Sequence, residues 1–163
     1  MDPIAEFRAL FARAQAVDRS RLPDPTAMSL ATVGADGAPS VRIVLLKHVD
    51  ERGFVFYTNL RSRKGRELAA VPRAALCFYW PALDVQIRVE GAVEPVTDQE
   101  ADAYFASRAR ESQIGAWASS QSETLASMEQ LRDRFADVDA RFAGKPVPRP
   151  PHWSGRRVRP CRI

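Results

Sequence analysis

The segment Tyr57–Lys64 holds the residue types best suited to chemistry, because a strand pattern gives way there to a helix pattern. Ser62 has the place of a helix N-cap, and the cations Arg63 and Lys64 follow in the first turn. A cation is unfavourable beside the positive end of the helix dipole, whereas the free N–H groups of that turn attract anions. A phosphate bound there would form charge-assisted hydrogen bonds with both. The segment therefore predicts a phosphate site, with two solvated surface cations as the alternative.

Two other groups of side chains could take part in anion binding. Arg42 and Lys47 bracket an apolar strand pattern, and a cation within a buried strand needs a partner. Three further residues are spaced by four positions: Tyr104, Arg108 and Ser112. If helical spacing persisted, they would offer two hydroxyls and a guanidinium to an anion on one face. A capped surface helix followed by an exposed turn is the alternative.

Several other kinds of site and location are excluded by the sequence. It contains no Gly-rich phosphate loop, no Ser-His-Asp order and no metal-ligand cluster, and His48 and His152 are isolated. Cys77 and Cys161 form neither a disulfide framework nor a metal spacing, as expected in a reducing cytosol. No apolar run approaches the roughly 18–20 residues of a membrane span, and the acidic N-terminus is not a signal peptide. We therefore expect a cytoplasmic protein without metal.

The net charge of +4 is unevenly distributed along the chain. Residues 141–163 contain six Arg, one Lys and no acid, so the remaining 17 basic and 20 acidic residues give a body of −3. This pattern predicts a solvated basic tail, with nucleic-acid or phosphate attraction as the minority alternative.

The 163 residues are expected to form one domain, in which an N-terminal helix is followed by strands with one short helix among them, then by further helices and a tail. Helices are predicted over 3–16, 63–71, 98–107 and 111–118, with a longer one marked by Leu125, Met128, Leu131, Phe135, Val138 and Phe142. Strands are predicted over Ala27–Val33, Pro39–Val49, Phe54–Thr58, Ala74–Trp80 and Val85–Val96. The domain divides into an N-terminal helix and linker (1–25), barrel strands (26–96), helices (97–143) and a basic Pro/Arg-rich tail (144–163).

Five antiparallel strands in short succession predict a mainly β, α+β fold: a closed or nearly closed barrel with flanking α-helices. Val41–Leu46 is apolar on both faces. One face must line the barrel core, and a helix or a second subunit must cover the other.

Seven short segments carry a family resemblance and occur in this order: Arg42–Lys47, Phe56–Asn59, Ser62–Lys64, Ser107-Arg108, Glu111–Trp117, Gln121-Ser122 and Pro150–Trp153. Together they resemble the pyridoxine/pyridoxamine 5′-phosphate oxidase family over roughly residues 5–155. The resemblance implies an antiparallel split β-barrel homodimer with FMN at the subunit interface. It also implies a flavoprotein oxidoreductase of pyridoxal phosphate biosynthesis, in which a hydride passes from the substrate C4′ to flavin N5 and O2 reoxidises the flavin.

The resemblance also implies which residues bind each ligand. FMN would be held by Arg42, Ile43, Val44, Leu45, Leu46, Lys47, Tyr57, Thr58, Arg63, Lys64, Gln86, Gln121 and Ser122, with Arg63 and Lys64 at its phosphate. The phosphate of the substrate would be held by Lys47, Tyr104, Arg108 and Ser112. No side chain is assigned as a catalytic acid or base, since the flavin carries the redox chemistry.

The sequence departs from the family pattern at three places. Val85 stands where Arg is common, and Ala109 replaces the usual Pro. The given sequence ends at Ile163, before a segment that usually contains Glu-Phe-Trp-Gln and Arg-Leu-His and supplies part of the active-site wall. The alternative expectation is therefore a relative that binds FMN or a B6 phosphate with little or no oxidase activity.

Overall fold

The computed structural model describes residues 2–119 and 127–163, which contain a seven-stranded antiparallel sheet and five α-helices. The strands are β1 (Ala27–Val33), β2 (Pro39–Leu45), β3 (His48–Asp50), β4 (Gly53–Asn59), β5 (Arg73–Trp80), β6 (Val85–Pro95) and β7 (Trp153–Arg162). The helices are α1 (Pro3–Gln15), α2 (Arg63–Ala70), α3 (Asp98–Ser107), α4 (Arg110–Ala118) and α5 (Met128–Arg141). The predicted helices agree with these bounds within about two residues, except that Leu125 lies outside the described residues.

The two edge strands of the sheet follow one another in the chain. The sheet must curl to bring these two edges together. The strand order is β2-β1-β5-β6-β7-β4-β3, so the chain leaves one edge at Leu45 and joins the other edge at His48. At this corner the Leu46 N–H donates to the Thr26 carbonyl and the Lys47 N–H to the Val55 carbonyl, both at 2.8 Å. The corner divides the single strand predicted over Pro39–Val49 into two. The predicted antiparallel barrel with flanking helices is confirmed as a curled half-barrel.

Helix α1 closes the core of the half-barrel. Asp2 caps the helix by accepting a hydrogen bond from the Ile4 N–H at 3.0 Å. The buried Phe7 ring lies 4.7 Å from Phe54 and 5.0 Å from Phe78, measured between ring centroids. Such aromatic pairs add to the free energy gained by burial, so α1 is a structural part of the barrel.

The prediction of a solvated basic tail is wrong for residues 153–162. They form β7, which pairs with β4 on one side and β6 on the other. Its Arg157 is only 2% exposed and donates to Asp50 at 2.5 Å and to Glu100 at 2.9 Å. The acids that neutralise this strand come from distant parts of the chain, so local composition alone suggested solvent.

The outer face of β2 stays apolar and open in the single chain. Val41 and Ile43 are 68% and 64% exposed, and Tyr79 of β5, on the same face, is 64% exposed. No helix among the described residues covers this face, so of the two alternatives the structure does not show the helix within residues 2–119 and 127–163, and the second subunit stays a prediction. The inner side of β2 faces the barrel, where Val44 packs against the core.

No helix within the described part of the chain is long and apolar enough to cross a bilayer.

Candidate functional site

A cleft of about 1090 Å³ opens beside β2 and the corner that follows it. Its walls come from β2, the end of β4, the start of α2, the junction of α3 and α4, and the first residue of β7. The polar side chains that line it are Ser40, Arg42, Lys47, Tyr57, Thr58, Asn59, Arg63, Lys64, Tyr104, Arg108, Ser112 and Ser119. Cations from three separate parts of the chain therefore share one space.

The start of α2 is fixed by its cap, as the sequence predicts. Ser62 accepts a hydrogen bond from the Gly65 N–H at 3.2 Å and donates to the Asn59 carbonyl at 2.7 Å. A Cβ at Gly65 would lie 2.2 Å from the Leu60 carbonyl oxygen, so only glycine fits this close approach. The tight turn places Arg63 and Lys64 at the end of β4, against the cleft.

Lys64 is buried at the base of this turn. It is 7% exposed, and its Nζ lies 3.2 Å from both Thr58 Oγ1 and Ser62 Oγ. Burial lowers the pKa of Lys64, the charge of Arg42 lowers it further, and Glu67 partly offsets both effects. A nearby anion would stabilise the charged form of a buried ammonium group that lies beside another cation, and the open cleft can admit such an anion.

Glu67 lies one turn further along α2 and accepts hydrogen bonds from the neighbouring donors. We call Arg42, Arg63, Lys64 and Glu67 the carboxylate-anchored cluster. Glu67 Oε1 accepts from Arg63 Nε at 2.8 Å, and Oε2 lies 3.2 Å from Arg42 Nη2. Burial would raise the pKa of Glu67, but hydrogen bonds from Ser40, Thr32 and the two arginines outweigh it and lower the pKa to about 2. The carboxylate is therefore ionised at neutral pH, and Arg42 has the partner that its strand position requires.

Arg108 is held in a different way, by aromatic faces. We call Arg108 with Phe105 and Trp153 the aromatic-anchored cluster. The guanidinium carbon lies 4.8 Å from the Trp153 ring centroid and 5.6 Å from that of Phe105. Nη1 of Arg108 is buried, and it has no hydrogen-bond partner within residues 2–119 and 127–163. Burial lowers the pKa of Arg108, with a smaller opposing effect of Tyr104. A desolvated cation with an unused donor is suited to binding an anion.

Three parallel rings form one wall of the cleft. Tyr57 stacks on Tyr104 at 4.0 Å and on Trp153 at 5.2 Å between centroids. Burial raises the pKa of both tyrosines, so both hydroxyls stay protonated at neutral pH. The Tyr57 hydroxyl donates to the Glu100 carbonyl at 3.4 Å, which leaves the Tyr104 hydroxyl as a donor for a ligand in the cleft.

The structure brings most of the predicted site residues together. Arg42, Ile43, Val44, Leu45, Lys47, Tyr57, Thr58, Arg63, Lys64, Tyr104, Arg108 and Ser112 all line the cleft. α3 ends at Ser107 and α4 begins at Arg110, so Tyr104, Arg108 and Ser112 meet there without a continuous helix. Leu46 is buried in the core and does not line the cleft.

Besides Leu46, three predicted FMN residues are not placed in the cleft. Gln86 is exposed on the outer face of β6, in register with Tyr79, and lines a separate cavity of about 360 Å³ beside α1. In the single chain it does not reach the cleft, because its strand directs this side chain outward. Gln121 and Ser122 lie outside the described residues.

Sequence reasoning missed two residues that organise the site. Glu67 stands four positions after Arg63 on a predicted helix, a spacing that signals an ion pair. Trp153 belongs to the Pro-Pro-His-Trp segment, but nothing in its local sequence indicates that it packs under Arg108.

Comparisons with known proteins point to one family. A family model described as pyridoxamine 5′-phosphate oxidase matches residues 15–142. A pyridoxine/pyridoxamine 5′-phosphate oxidase from Myxococcus xanthus is 64% identical over 162 residues, which cover 99% of this chain and 77% of that protein. The protein of the same name from Thermosynechococcus vestitus is 57% identical, with coverages of 99% and 75%.

A solved structure extends the likeness to the fold. PhzG from Burkholderia lata 383, in complex with tetrahydrophenazine-1-carboxylic acid, is 34% identical with a TM-score of 0.89. The match covers 98% of this chain and 76% of that one. Since the family model spans most of the chain and the named relatives match nearly all of it, the chain belongs to the pyridoxamine 5′-phosphate oxidase family of enzymes.

Proposed function

We propose that this chain uses FMN to oxidise pyridoxine or pyridoxamine 5′-phosphate to pyridoxal 5′-phosphate, with O2 as the electron acceptor. The observation that carries the proposal is the presence of two differently anchored groups of cations in one cleft. Two phosphate-bearing ligands, a cofactor and a substrate, would make use of both groups. The names of the relatives support the same reaction.

The donors of the cleft fit FMN. Small-molecule sites commonly have volumes of roughly 300–1000 Å³, so a cleft of about 1090 Å³ leaves room for a flavin together with a small substrate. Arg63 and Lys64 would hold the flavin phosphate, with Arg42 behind them. The side chains of Ile43, Val44 and Leu45 add apolar surface suited to a flat ring system.

The remaining residues would hold the substrate and keep its ring in place. Lys47, Tyr104, Arg108 and Ser112 offer two cations and two hydroxyls to the substrate phosphate. When bound, FMN supplies the redox chemistry, which is acceptance of a hydride and delivery of two electrons to O2. The contribution of the chain is therefore orientation, for which displacements near 1 Å cost on the order of 100-fold in rate.

A second copy of the chain is the partner that we propose for the outer face of β2. Val41, Ile43 and Leu45 are exposed on this face and also line the cleft. A subunit docked there would bury the apolar side chains and add a wall to the cleft. Gln86 is directed outward on the same sheet, so docking would also bring this predicted FMN ligand to the subunit interface. Sedimentation at micromolar concentration tests the expected dimer.

The experiment that tests the reaction begins with loading of the purified chain with FMN. Incubation with pyridoxine or pyridoxamine 5′-phosphate in air should release peroxide and pyridoxal 5′-phosphate in equal amounts. Tetrahydrophenazine-1-carboxylic acid, the compound found with PhzG, serves as the competing substrate. FMN binding without turnover of the vitamer phosphates would contradict the proposed oxidase and leave the binding-only alternative.

A further inference from the structure

We propose that Glu67 is a positioning residue that holds Arg63 and Arg42 in the arrangement that binds the cofactor phosphate. The inference rests on the proposed binding of FMN in the cleft. Glu67 does not line the cleft itself, so its action on the ligand passes through the two arginines.

The contacts of Glu67 are all made by donors. Oε2 accepts from Thr32 Oγ1 at 2.5 Å, from Ser40 Oγ at 2.6 Å and from Arg42 Nη2 at 3.2 Å. Oε1 accepts from Arg63 Nε at 2.8 Å. A carboxylate is suited to this place because it only accepts hydrogen bonds, whereas an amide must direct an NH2 group at one side.

The contact with Arg63 leaves the ligand-binding end of that side chain unused. Arg63 meets Glu67 through Nε, and its two terminal amino groups have no hydrogen-bond partner in the described part of the chain. These groups form a planar fork that matches two phosphate oxygens. Arg63 is 59% exposed at the side chain, so without Glu67 it would sample many rotamers and bind the phosphate at a greater entropic cost.

The contacts of Arg42 give it the opposite role. Its terminal amino groups are taken by four protein acceptors, namely the Leu30 carbonyl, Thr32 Oγ1, Ser40 Oγ and Glu67 Oε2. Arg42 therefore contributes charge and fixes the position of Glu67, while Arg63 and Lys64 supply most of the donors. Three cations and one carboxylate give the carboxylate-anchored cluster a net charge of +2. This charge matches the roughly −1.5 to −2 of a phosphate monoester.

The test compares the affinities of the chain for FMN and for riboflavin, which lacks the phosphate. Flavin fluorescence titration gives both dissociation constants for the wild type and for Glu67→Gln. Loss of charge-assisted bonds predicts about a 10-fold or greater weakening of FMN binding. Riboflavin affinity should change by less than about 3-fold, because no phosphate is present.

Glu100→Gln is the matched control. Glu100 also has its pKa lowered to about 2 and bonds to arginines, but those arginines, Arg52 and Arg157, do not line the cleft. This variant should lose stability and keep the wild-type ratio of FMN to riboflavin affinity. Equal loss of both affinities in Glu67→Gln would mean a merely structural role and would overturn the inference. Tighter FMN binding would also overturn it, since Glu67 would then compete with the phosphate for the arginines.

A double-mutant cycle locates the effect in Arg63. If Glu67 acts mainly through Arg63, then Glu67→Gln should weaken FMN binding much less in an Arg63→Ala background, whereas additive effects contradict the inference. If Glu67→Gln fails to fold, Arg63→Lys decides, because lysine keeps the charge without the fork. About a 10-fold loss of FMN preference supports the inference, and an unchanged preference overturns it. Failure of the wild type to bind FMN would overturn the proposed function and the inference together, whereas failure of the variants alone overturns only the inference.

Discussion

The two cation clusters of the cleft hold their arginines in place by different interactions. In the carboxylate-anchored cluster, Glu67 fixes Arg42 and Arg63 and cancels one positive charge. In the aromatic-anchored cluster, Trp153 and Phe105 fix Arg108 and cancel none. The first arrangement therefore lowers the net charge of its site and leaves the terminal amino groups of Arg63 without a partner among the described residues. The second keeps the full charge on a half-buried guanidinium whose buried Nη1 has no partner among them.

The largest expected effect is on the carboxylate-anchored cluster. Arg63→Ala together with Lys64→Ala would remove the two charge-assisted contacts that we propose for the FMN phosphate, so FMN binding should weaken by about 100-fold or more. Equilibrium fluorescence titration of the flavin measures the loss. Arg66→Ala is the control, because Arg66 is exposed on the same helix and does not line the cleft. A double variant that retains FMN normally would remove this cluster from the cofactor site.

Acid should weaken the two clusters unequally. The pKa of Glu67 is lowered from 4.5 to about 2, so its contribution to stability is complete above about pH 4.5 and is lost as the pH falls towards 2. A shift of this size corresponds to about 3 kcal/mol in the free energy of unfolding. Denaturant unfolding between pH 5 and pH 2 measures the loss, and Glu67→Gln should flatten the curve. The aromatic-anchored cluster has no carboxylate to titrate, so Trp153→Phe should leave the slope unchanged, and a flattened slope there would contradict the distinction.

The next effect concerns the substrate. Arg108→Ala should raise the KM for the vitamer phosphate by about 10- to 100-fold, while FMN stays bound, because the charge-assisted contact that we propose for Arg108 is with the substrate. Steady-state kinetics with a parallel flavin titration separate the two effects. Arg110→Ala is the control, since Arg110 is exposed and bonds to Asp139 and to the Phe142 carbonyl. Release of FMN from Arg108→Ala would reverse the assignment of the two clusters.

The smallest effect tests the aromatic anchor itself. Trp153→Leu removes the π face under Arg108 and should raise KM by about 3- to 10-fold, in line with a cation–π contribution of about 0.5–2 kcal/mol. Trp153→Phe retains a π face and should recover part of the loss. Thermal unfolding of both variants checks that the fold is kept. Equal KM values for the two variants would show that the ring face does not hold Arg108.

The sequence predicts the parts of this site that depend on local signals. The cap at Ser62 and the cations after it are adjacent in the chain, so the start of α2 can be predicted without a structure. The Arg-rich β7 cannot be predicted in the same way, because Arg157 forms ion pairs with Asp50 and Glu100, which are distant in sequence. The place of Trp153 under Arg108 likewise depends on how α3 packs against β7. The predicted role of Gln86 is a third case, because in a single chain the side chain of Gln86 does not reach the cleft.

The central claim is that one cleft holds two phosphate ligands at the same time. Native mass spectrometry of the wild-type chain, mixed with FMN and pyridoxal 5′-phosphate, tests it directly. The account predicts a species with one FMN and one vitamer phosphate per chain, and loss of only the vitamer in Arg108→Ala. A spectrum in which each ligand displaces the other, so that no chain carries both, would contradict it.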